Sequence, residues 1–165
     1  LEVIEAKWLF GLKPGEVEVV VHPQSIVHSL VQFQDGSIKA QLGLPDMRLP
    51  IQFALAYPQR LKTDFERFDF SRYPSLTFEP PDTETFRNLA LAFESLGQGG
   101  NMPCVLNAAN EVAVEEFLKG NIGFLDMPRI VEECMGKMGF IAHPTYEDYV
   151  ATDREARIKA AECIK

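Results

Sequence analysis

The sequence has few basic residues and no long apolar run, and each shortage argues against a class of partner. Its 16 Lys and Arg are outnumbered by 24 Asp and Glu, which gives a formal charge of −8. Nucleic acids and acidic membrane surfaces are bound by clustered Lys and Arg, so we expect neither partner. No apolar stretch approaches the roughly 20 residues that span a bilayer. The amino terminus has neither a basic region nor a cleavage site, and the chain is therefore predicted to be cytoplasmic.

Cysteine is also scarce. The three residues, Cys104, Cys134 and Cys163, are an odd number and are widely spaced. They match no zinc-binding or CxxC pattern. Free cysteines in a reducing compartment are usually packed in the interior as small apolar residues, so we assign them no chemistry.

Strand signals are concentrated in the first quarter of the chain. Residues 16–21 end in three valines, which predicts a strand that can be buried on both faces. Two β-prone runs, 25–33 and 37–42, flank Asp35-Gly36, and an Asp-Gly step between such runs predicts an antiparallel hairpin.

Helix signals dominate the remainder. Helical composition or apolar periodicity, with glycine- or proline-containing breaks between the segments, predicts helices at 1–10, 46–57, 83–96, 103–119, 126–138 and 145–164. Asp46 is a candidate cap, and Pro50 is acceptable because it falls in the first turn of its helix. The segment between the second and third helices is rich in proline and lacks periodicity, so it is predicted to be a connector. The last four helices, joined by short loops, suggest a small bundle.

The glycine-rich stretch at 97–100 could be mistaken for a nucleotide-binding loop. A dinucleotide fingerprint follows a strand and precedes a helix, and a phosphate loop ends in Lys-Ser or Lys-Thr. These glycines instead join two predicted helices, so we interpret them as a helix end.

Several motifs together resemble the 1-deoxy-D-xylulose 5-phosphate reductoisomerase family of the non-mevalonate isoprenoid pathway. The matching segments are LEVIEA at 1–6, HPQSIVHS at 22–29, DGS at 35–37, QLGLPDMRLP at 41–50 and LNAANEVA at 106–113. Their order and spacing also fit, and the resemblance extends over nearly the whole chain.

The resemblance implies a fold class and a set of domains. It implies an α+β chain made of the remnant of a mixed α/β catalytic domain with a β-hairpin, followed by a four-helix bundle-like domain. Residues 1–60 would end the metal- and substrate-binding catalytic domain, 61–82 would connect, and 83–165 would form the carboxy-terminal helical domain. The NADPH-binding domain would be absent from this chain.

The resemblance also implies a reaction. The family converts 1-deoxy-D-xylulose 5-phosphate to 2-C-methyl-D-erythritol 4-phosphate with NADPH and Mn²⁺ or Mg²⁺, and it is a homodimer. With the nucleotide domain and two metal carboxylates missing, the isolated chain is expected to be inactive. The alternative is a non-catalytic dimerising or interaction module, since a hairpin edge can pair with a second copy.

Two acidic residues are candidates for the metal site. Glu2 matches the position of one of the family's carboxylate ligands, and hard divalent cations prefer oxygen donors. Glu5 lies about one turn away on the same face and could hydrogen-bond a group that binds the metal. Without the resemblance, both would be ordinary charged residues near a helix start.

Three further residues are candidates for the catalytic site. The resemblance brings His28 near the reaction as the candidate catalytic histidine, with a structural histidine as the alternative. It also places Pro45 and Met47 in a loop that lines the sugar and nicotinamide pocket, although Met47 alone would suggest a core residue. We interpret His22 as a turn or subunit-contact residue and His143 as a loop residue. The polar groups of one helix, Asn107, Asn110 and Glu111, are assigned a structural role.

Overall fold

The computed structural model describes residues 1–164. Within these residues the chain forms six α-helices, one 3-10 turn at Pro14–Glu16 and a two-stranded antiparallel sheet. The elements in chain order are α1 (Glu2–Phe10), β1 (Val27–Gln32), β2 (Ile38–Leu42), α2 (Arg48–Ala56), α3 (Arg87–Gln98), α4 (Met102–Leu118), α5 (Asp126–Lys137) and α6 (Tyr146–Glu162). The predicted α+β class, with a hairpin and four carboxy-terminal helices, is confirmed.

The contacts divide the chain into two compact units. The helical unit comprises residues 1–19 and the chain from Asp82 onward, and the hairpin unit comprises residues 20–81. This grouping differs from the predicted limits at 60 and 83. Residues 1–19 belong to the helical unit, since Ile4 of α1 packs against its core, and residues 61–81 belong to the hairpin unit. The predicted limits refer to domains of an intact enzyme and stay a prediction.

The core of the helical unit is built around α4, which packs against α3, α5 and α6. Small residues permit the close approach of α4 and α6, because a smaller side chain lets helix axes come nearer. The alanines concerned, all fully buried, are Ala108, Ala109, Ala113, Ala156 and Ala160. Larger side chains fill the space between α3, α4 and α5, among them Leu91, Val105 and Ile130.

The helix ends follow local sequence signals. Gly11 ends α1 in the left-handed conformation, with φ of 64°, and donates its N–H to the carbonyl of Lys7. Thr145 begins α6 with a reciprocal cap, in which its hydroxyl accepts from the N–H of Asp148 and the Asp148 carboxylate accepts from the N–H of Thr145. Both ends lie close to the predicted helix limits of 10 and 145.

The hairpin unit is formed by β1, β2 and the segments packed on them. Gly36 has a φ of 84°, and the Asp35 carboxylate accepts from both the N–H and the hydroxyl of Ser37, which explains the tight turn. The predicted hairpin is therefore confirmed. After α2 the chain runs without helix or strand through the predicted connector, apart from one bridge at Glu79.

The predicted strand at 16–21 is wrong. Only Val21 pairs, through a single bridge to Glu79, and the two residues exchange hydrogen bonds of 2.9 Å. Val20 and Val21 are 48% and 41% exposed, so burial on both faces is also wrong. Valine favours a strand only where a neighbouring strand lies alongside, and the sheet of the described residues contains only β1 and β2.

Helix α3 begins at Arg87 rather than at Thr83, as the sequence had predicted. The carboxylate of Asp82 accepts hydrogen bonds from the N–H groups of Glu84 and Thr85. An Asp side chain that binds the backbone two and three residues ahead forms a local turn that competes with helix. The helix can start only after that turn.

Candidate functional site

The two acidic candidates lie in the first turns of α1. Glu2 and Glu5 are both exposed and are three residues apart on the helix. The partial positive charge of the helix start favours carboxylates there. Their oxygens suit a hard divalent cation, but within residues 1–164 no group of three or more His, Cys, Asp or Glu side chains could hold a metal. Glu2 and Glu5 are therefore not part of a larger cluster of such side chains within residues 1–164.

Helix α1 is held in place by its apolar face. Val3 is 6% exposed, and Ile4 packs against the helical core. Ile4 and Trp8 also line a shallow cleft together with Pro103, Cys104 and Tyr149. This packing holds the helix that carries Glu2 in place, while the Glu2 side chain itself is exposed.

The histidine candidate, His28, lies in the hairpin unit at an irregularity between β1 and β2. Val27 faces Leu42 and Ser29 faces Gln41, so His28 is the extra residue of a β-bulge. Its Nε2 lies 3.0 Å from the carbonyl oxygen of Gly43. The imidazole is thus bonded to the backbone at the start of the loop that contains Pro45 and Met47.

The loop that contains the pocket candidates is tightly turned. The N–H of Asp46 donates to the carbonyl of Leu44 at 2.8 Å, around Pro45, and the Asp46 carboxylate accepts from the N–H of Arg48 at 3.0 Å. The prediction of Asp46 as the cap of α2 is wrong in position, because the helix begins at Arg48 and its N-cap residue is Met47, without a side-chain cap. Met47 projects from this turn and is 71% exposed. The interpretation of Met47 as a core residue is therefore wrong for this chain.

An ion pair between Asp46 and Arg48, called the Asp46–Arg48 fork below, reinforces the same turn. The Arg48 guanidinium donates to both carboxylate oxygens of Asp46, and it lies 4.7 Å from the ring centroid of Phe65. The hydrogen bond from the Arg48 side chain holds the pKa of Asp46 below its usual value. The Asp46 carboxylate is charged at neutral pH and keeps its hydrogen bonds to the backbone N–H and the guanidinium of Arg48.

A family model described as "DXP reductoisomerase C-terminal domain" matches residues 42–159. The chain belongs to this family. It is 64% identical over 163 residues to a 1-deoxy-D-xylulose 5-phosphate reductoisomerase of Bacteroides fragilis (strain YCH46), covering 99% of this chain and 42% of that protein. It is 56% identical over 165 residues to the enzyme of the same name from Pelotomaculum thermopropionicum, covering all of this chain and 43% of that protein.

Solved DXP reductoisomerase structures share the fold. The Zymomonas mobilis reductoisomerase in complex with NADPH superposes with a TM-score of 0.89 at 48% identity, over 99% of this chain and 43% of that one. A DOX-P reductoisomerase in complex with NADPH, fosmidomycin and magnesium gives a TM-score of 0.91 at 40% identity, over 99% and 42%. The chain therefore spans about two fifths of the length of the relatives it matches.

Three aromatic residues line the loop with the pocket candidates and were not predicted from the sequence. Phe65, Phe68 and Tyr73, all from the predicted connector, line a cleft of about 660 Å³ together with the Leu42–Leu49 stretch. Phe68 also stacks on Tyr73, with ring centroids 5.6 Å apart. The sequence feature that could have identified these residues is the density of aromatic residues in a segment without helical or strand periodicity.

His22, and Asn107 and Glu111 of α4, have local partners. His22 stacks on Phe78 with centroids 4.7 Å apart and donates from Nδ1 to the carbonyl of Thr77 at 2.8 Å, which supports its interpretation as a turn residue. Asn107 donates to Glu111, whose carboxylate pairs with Arg157 of α6 at 2.7 Å. These bonds tie α4 to α6, in agreement with a structural role.

The other predictions can be compared directly with the structure. Cys104, Cys134 and Cys163 are free thiols, and the last two are buried. His143 lies in the exposed loop before α6. Gly99 ends α3 and donates its N–H to the carbonyl of Ser95, so the glycine stretch is a helix end. Among the described residues, no helix is long and apolar enough to cross a membrane.

Proposed function

We propose that this chain is the carboxy-terminal part of an NADPH- and divalent-metal-dependent reductoisomerase that converts 1-deoxy-D-xylulose 5-phosphate to 2-C-methyl-D-erythritol 4-phosphate. The observation that carries the proposal is the 64% identity to the Bacteroides fragilis enzyme along almost the full chain. The placement of a free carboxylate on a well-packed helix and of an exposed thioether on a rigid turn is consistent with it. Its free thiols suit a reducing compartment, and we propose that it acts in the cytoplasm.

Glu2 is proposed as one ligand of Mg²⁺ or Mn²⁺. Its carboxylate is exposed, while Val3 beside it anchors the helix. Glu5, one turn along α1, is proposed to hydrogen-bond a group that binds the metal and so to orient it. When bound, the metal would polarise the carbonyl and hydroxyl oxygens of the substrate.

Pro45 and Met47 are proposed to line the pocket for the sugar and the nicotinamide ring. Pro45 gives the turn a fixed backbone angle, and the flexible Met47 side chain can cover an apolar ring. Asp46 and Arg48, which also line the cleft, neutralise each other through their ion pair.

The isolated chain is proposed to be inactive. One carboxylate does not make a tight site for a hard cation, whose affinity follows the number of charged oxygens around it. The relatives are more than twice as long as the matched segment, and we propose that their additional part supplies the NADPH site and the other ligands.

We also propose that the hairpin takes part in a homodimer. Leu30, Val31 and Ile38 are 44%, 56% and 58% exposed, and a two-stranded sheet is marginally stable alone. The second candidate, a non-catalytic dimerising module, rests on the same exposed apolar residues, of which Leu30 and Ile38 lie on one face of the hairpin and Val31 on the other. A chain that dimerises but never supports catalysis would favour the second candidate.

The test uses a chimera in which this chain replaces the matching segment of the Bacteroides fragilis protein. We expect NADPH oxidation with 1-deoxy-D-xylulose 5-phosphate and Mn²⁺ in the chimera and none in the isolated chain. Glu2→Gln should abolish it and weaken Mn²⁺ binding, measured separately by electron paramagnetic resonance. Glu5→Gln should weaken binding by about 10-fold or more.

Glu18→Gln, which removes an exposed carboxylate away from α1, is the matched control and should change neither quantity. Activity of the isolated chain would overturn the proposal that it is incomplete. A fully active Glu2→Gln chimera would remove Glu2 from the metal site. Light scattering of the chimera and of a Val31→Lys variant tests the dimer, which the added charge should dissociate.

A further inference from the structure

We propose that His28 is a positioning residue that fixes the Leu44–Met47 loop through the carbonyl of Gly43. The inference rests on the proposed function of that loop as a pocket wall. It assigns His28 a different role from the catalytic one that the sequence suggested.

The β-bulge explains why His28 can reach the loop. Alternation along a regular strand would place successive side chains on opposite faces of the sheet. Because His28 is the extra residue between the Val27–Leu42 and Ser29–Gln41 pairs, its side chain is turned out of that alternation. The ring then meets the backbone at the end of β2.

Gly43 is held from two sides. Its N–H donates to the carbonyl of Ile26 at 3.0 Å, and Ile26 is 1% exposed. Its own carbonyl receives the bond from His28 at 3.0 Å. A Cβ on Gly43 would lie 3.2 Å from Cδ2 of Leu49, so the absence of a side chain allows this close packing. The loop therefore leaves the sheet from a fixed point.

The bond to Gly43 also determines the protonation of the ring. A carbonyl oxygen can only accept, so Nε2 must carry a hydrogen. A general acid or base needs a nitrogen directed at the reacting group, and the bond to Gly43 commits Nε2 to the backbone, which leaves Nδ1 as the ring nitrogen that the pH profile below tests. This geometry suits a residue that orients its neighbour.

The far end of the loop is fixed independently. The Asp46–Arg48 fork and the stacking of Arg48 on Phe65 hold the residues after Met47. Met47 is thus carried between two anchors, one at His28 and one at Arg48. Loss of the first anchor should let the pocket wall move without removing any group that reacts.

The kinetic test compares three variants of the chimera. Removing the anchor with His28→Ala should raise KM for 1-deoxy-D-xylulose 5-phosphate by about 10-fold, the order of one lost hydrogen bond, with a smaller fall in kcat. His28→Gln should restore most of the loss, because its amide N–H lies at a comparable distance from Cβ. Ser29→Ala, the next residue on β1, is the matched control and should resemble the unmodified chimera.

The pH profile separates positioning from catalysis. If His28 only positions the loop, kcat/KM of His28→Ala should keep both limbs of its pH dependence. A catalytic acid or base would lose about 100-fold or more in kcat together with one limb, and Gln would not rescue it. That second outcome would overturn the proposal.

A spectroscopic measurement, the spectroscopic arm of the test, examines the role of His28 independently of activity. In the isolated chain with ¹⁵N-labelled histidine, NMR should find His28 protonated on Nε2, and His28→Ala should shift the Met47 methyl resonance while Ser29→Ala does not. A neutral His28 protonated on Nδ1, or an unmoved Met47 signal, would overturn the positioning role. If the unmodified chimera is inactive, the proposed function fails and this arm alone decides the role of His28.

Discussion

Asn101 and Ile141 are joined by two hydrogen bonds that link the start of α4 to the loop before α6. The side-chain oxygen of Asn101 accepts from the N–H of Ile141 at 2.9 Å, and the N–H of Asn101 donates to the Ile141 carbonyl at 3.1 Å. The amide group also donates to the Gly139 carbonyl and to the Thr152 hydroxyl. Asn101 is 1% exposed, so these bonds replace water completely.

Asn101→Ala should therefore destabilise the helical unit by about 2–4 kcal/mol, because buried backbone groups lose their partners. Urea unfolding followed by circular dichroism measures the change. The control is Asn88→Ala, at an exposed position of α3, which should stay within about 0.5 kcal/mol of the parent. Equal midpoints for the two variants would contradict the role of Asn101.

Gly100 should not tolerate a side chain. Its φ is +55°, and a Cβ would lie 2.2 Å from the carbonyl oxygen of Ile141. We expect Gly100→Ala to cost more than about 2 kcal/mol of unfolding free energy. Gly97→Ala is the matched control, since Gly97 lies inside α3 with nothing within 4 Å of the added atom. That change should be neutral or stabilising by up to about 1 kcal/mol, and a similar loss in both would contradict the prediction.

The cap of α6 should make stability depend on pH in the acid range. Hydrogen bonds from the backbone N–H and then the hydroxyl of Thr145 hold the pKa of Asp148 below its usual value of 3.8. A carboxyl with a lowered pKa in the folded state stabilises the fold above its ordinary pKa, and this contribution is lost as the pH falls through the folded value. Asp148→Asn should therefore lower stability near neutral pH and make the loss below about pH 4 smaller.

Urea midpoints at about pH 7 and about pH 3 test this dependence. The neighbouring Glu147→Gln, which is outside the reciprocal cap, should leave the difference between the two midpoints close to that of the parent. An unchanged difference in Asp148→Asn would show that the cap does not contribute. Thr145→Ala should cost about 1 kcal/mol at neutral pH.

The thiol of Cys134 should be unreactive in the folded chain. Burial, and next the proximity of Cys163, raises the pKa of Cys134 to about 11, and the residue is fully buried. Only the thiolate reacts with iodoacetamide, and at about pH 8 roughly one thousandth of such a group is ionised. Mass spectrometry should find Cys104 labelled first and all three cysteines labelled in urea. Equally fast labelling of Cys134 with and without urea would contradict its burial.

The sequence predicted the local elements well where short-range chemistry decides them. Asp35-Gly36 specified the hairpin turn, and the predicted limits of α1 and α6 lie close to the observed ones, because turn and helix-end signals act within a few residues. It failed at 16–21, where the valines favour a strand but no neighbouring strand runs alongside in the described sheet. Pairing partners distant in sequence cannot be inferred from propensity.

The sequence motifs identified the candidate residues, but they did not predict the contacts that these residues make. The sequence placed His28, Pro45 and Met47 in family segments, and Glu2 on a helix. Whether Glu2 and Glu5 bind a metal, and whether Met47 touches a cofactor, stay predictions.

By itself, therefore, the sequence determined the family, the helix ends and the hairpin turn, since these depend on residue identity and short spacing. Only the tertiary structure decided that His28 occupies a bulge and bonds Gly43, that Phe65 supports Arg48, and that Gly100 must lack a side chain. Each of these contacts depends on how close two backbone segments come when the chain packs. That distance is set by all the packed side chains together and is encoded in no single motif.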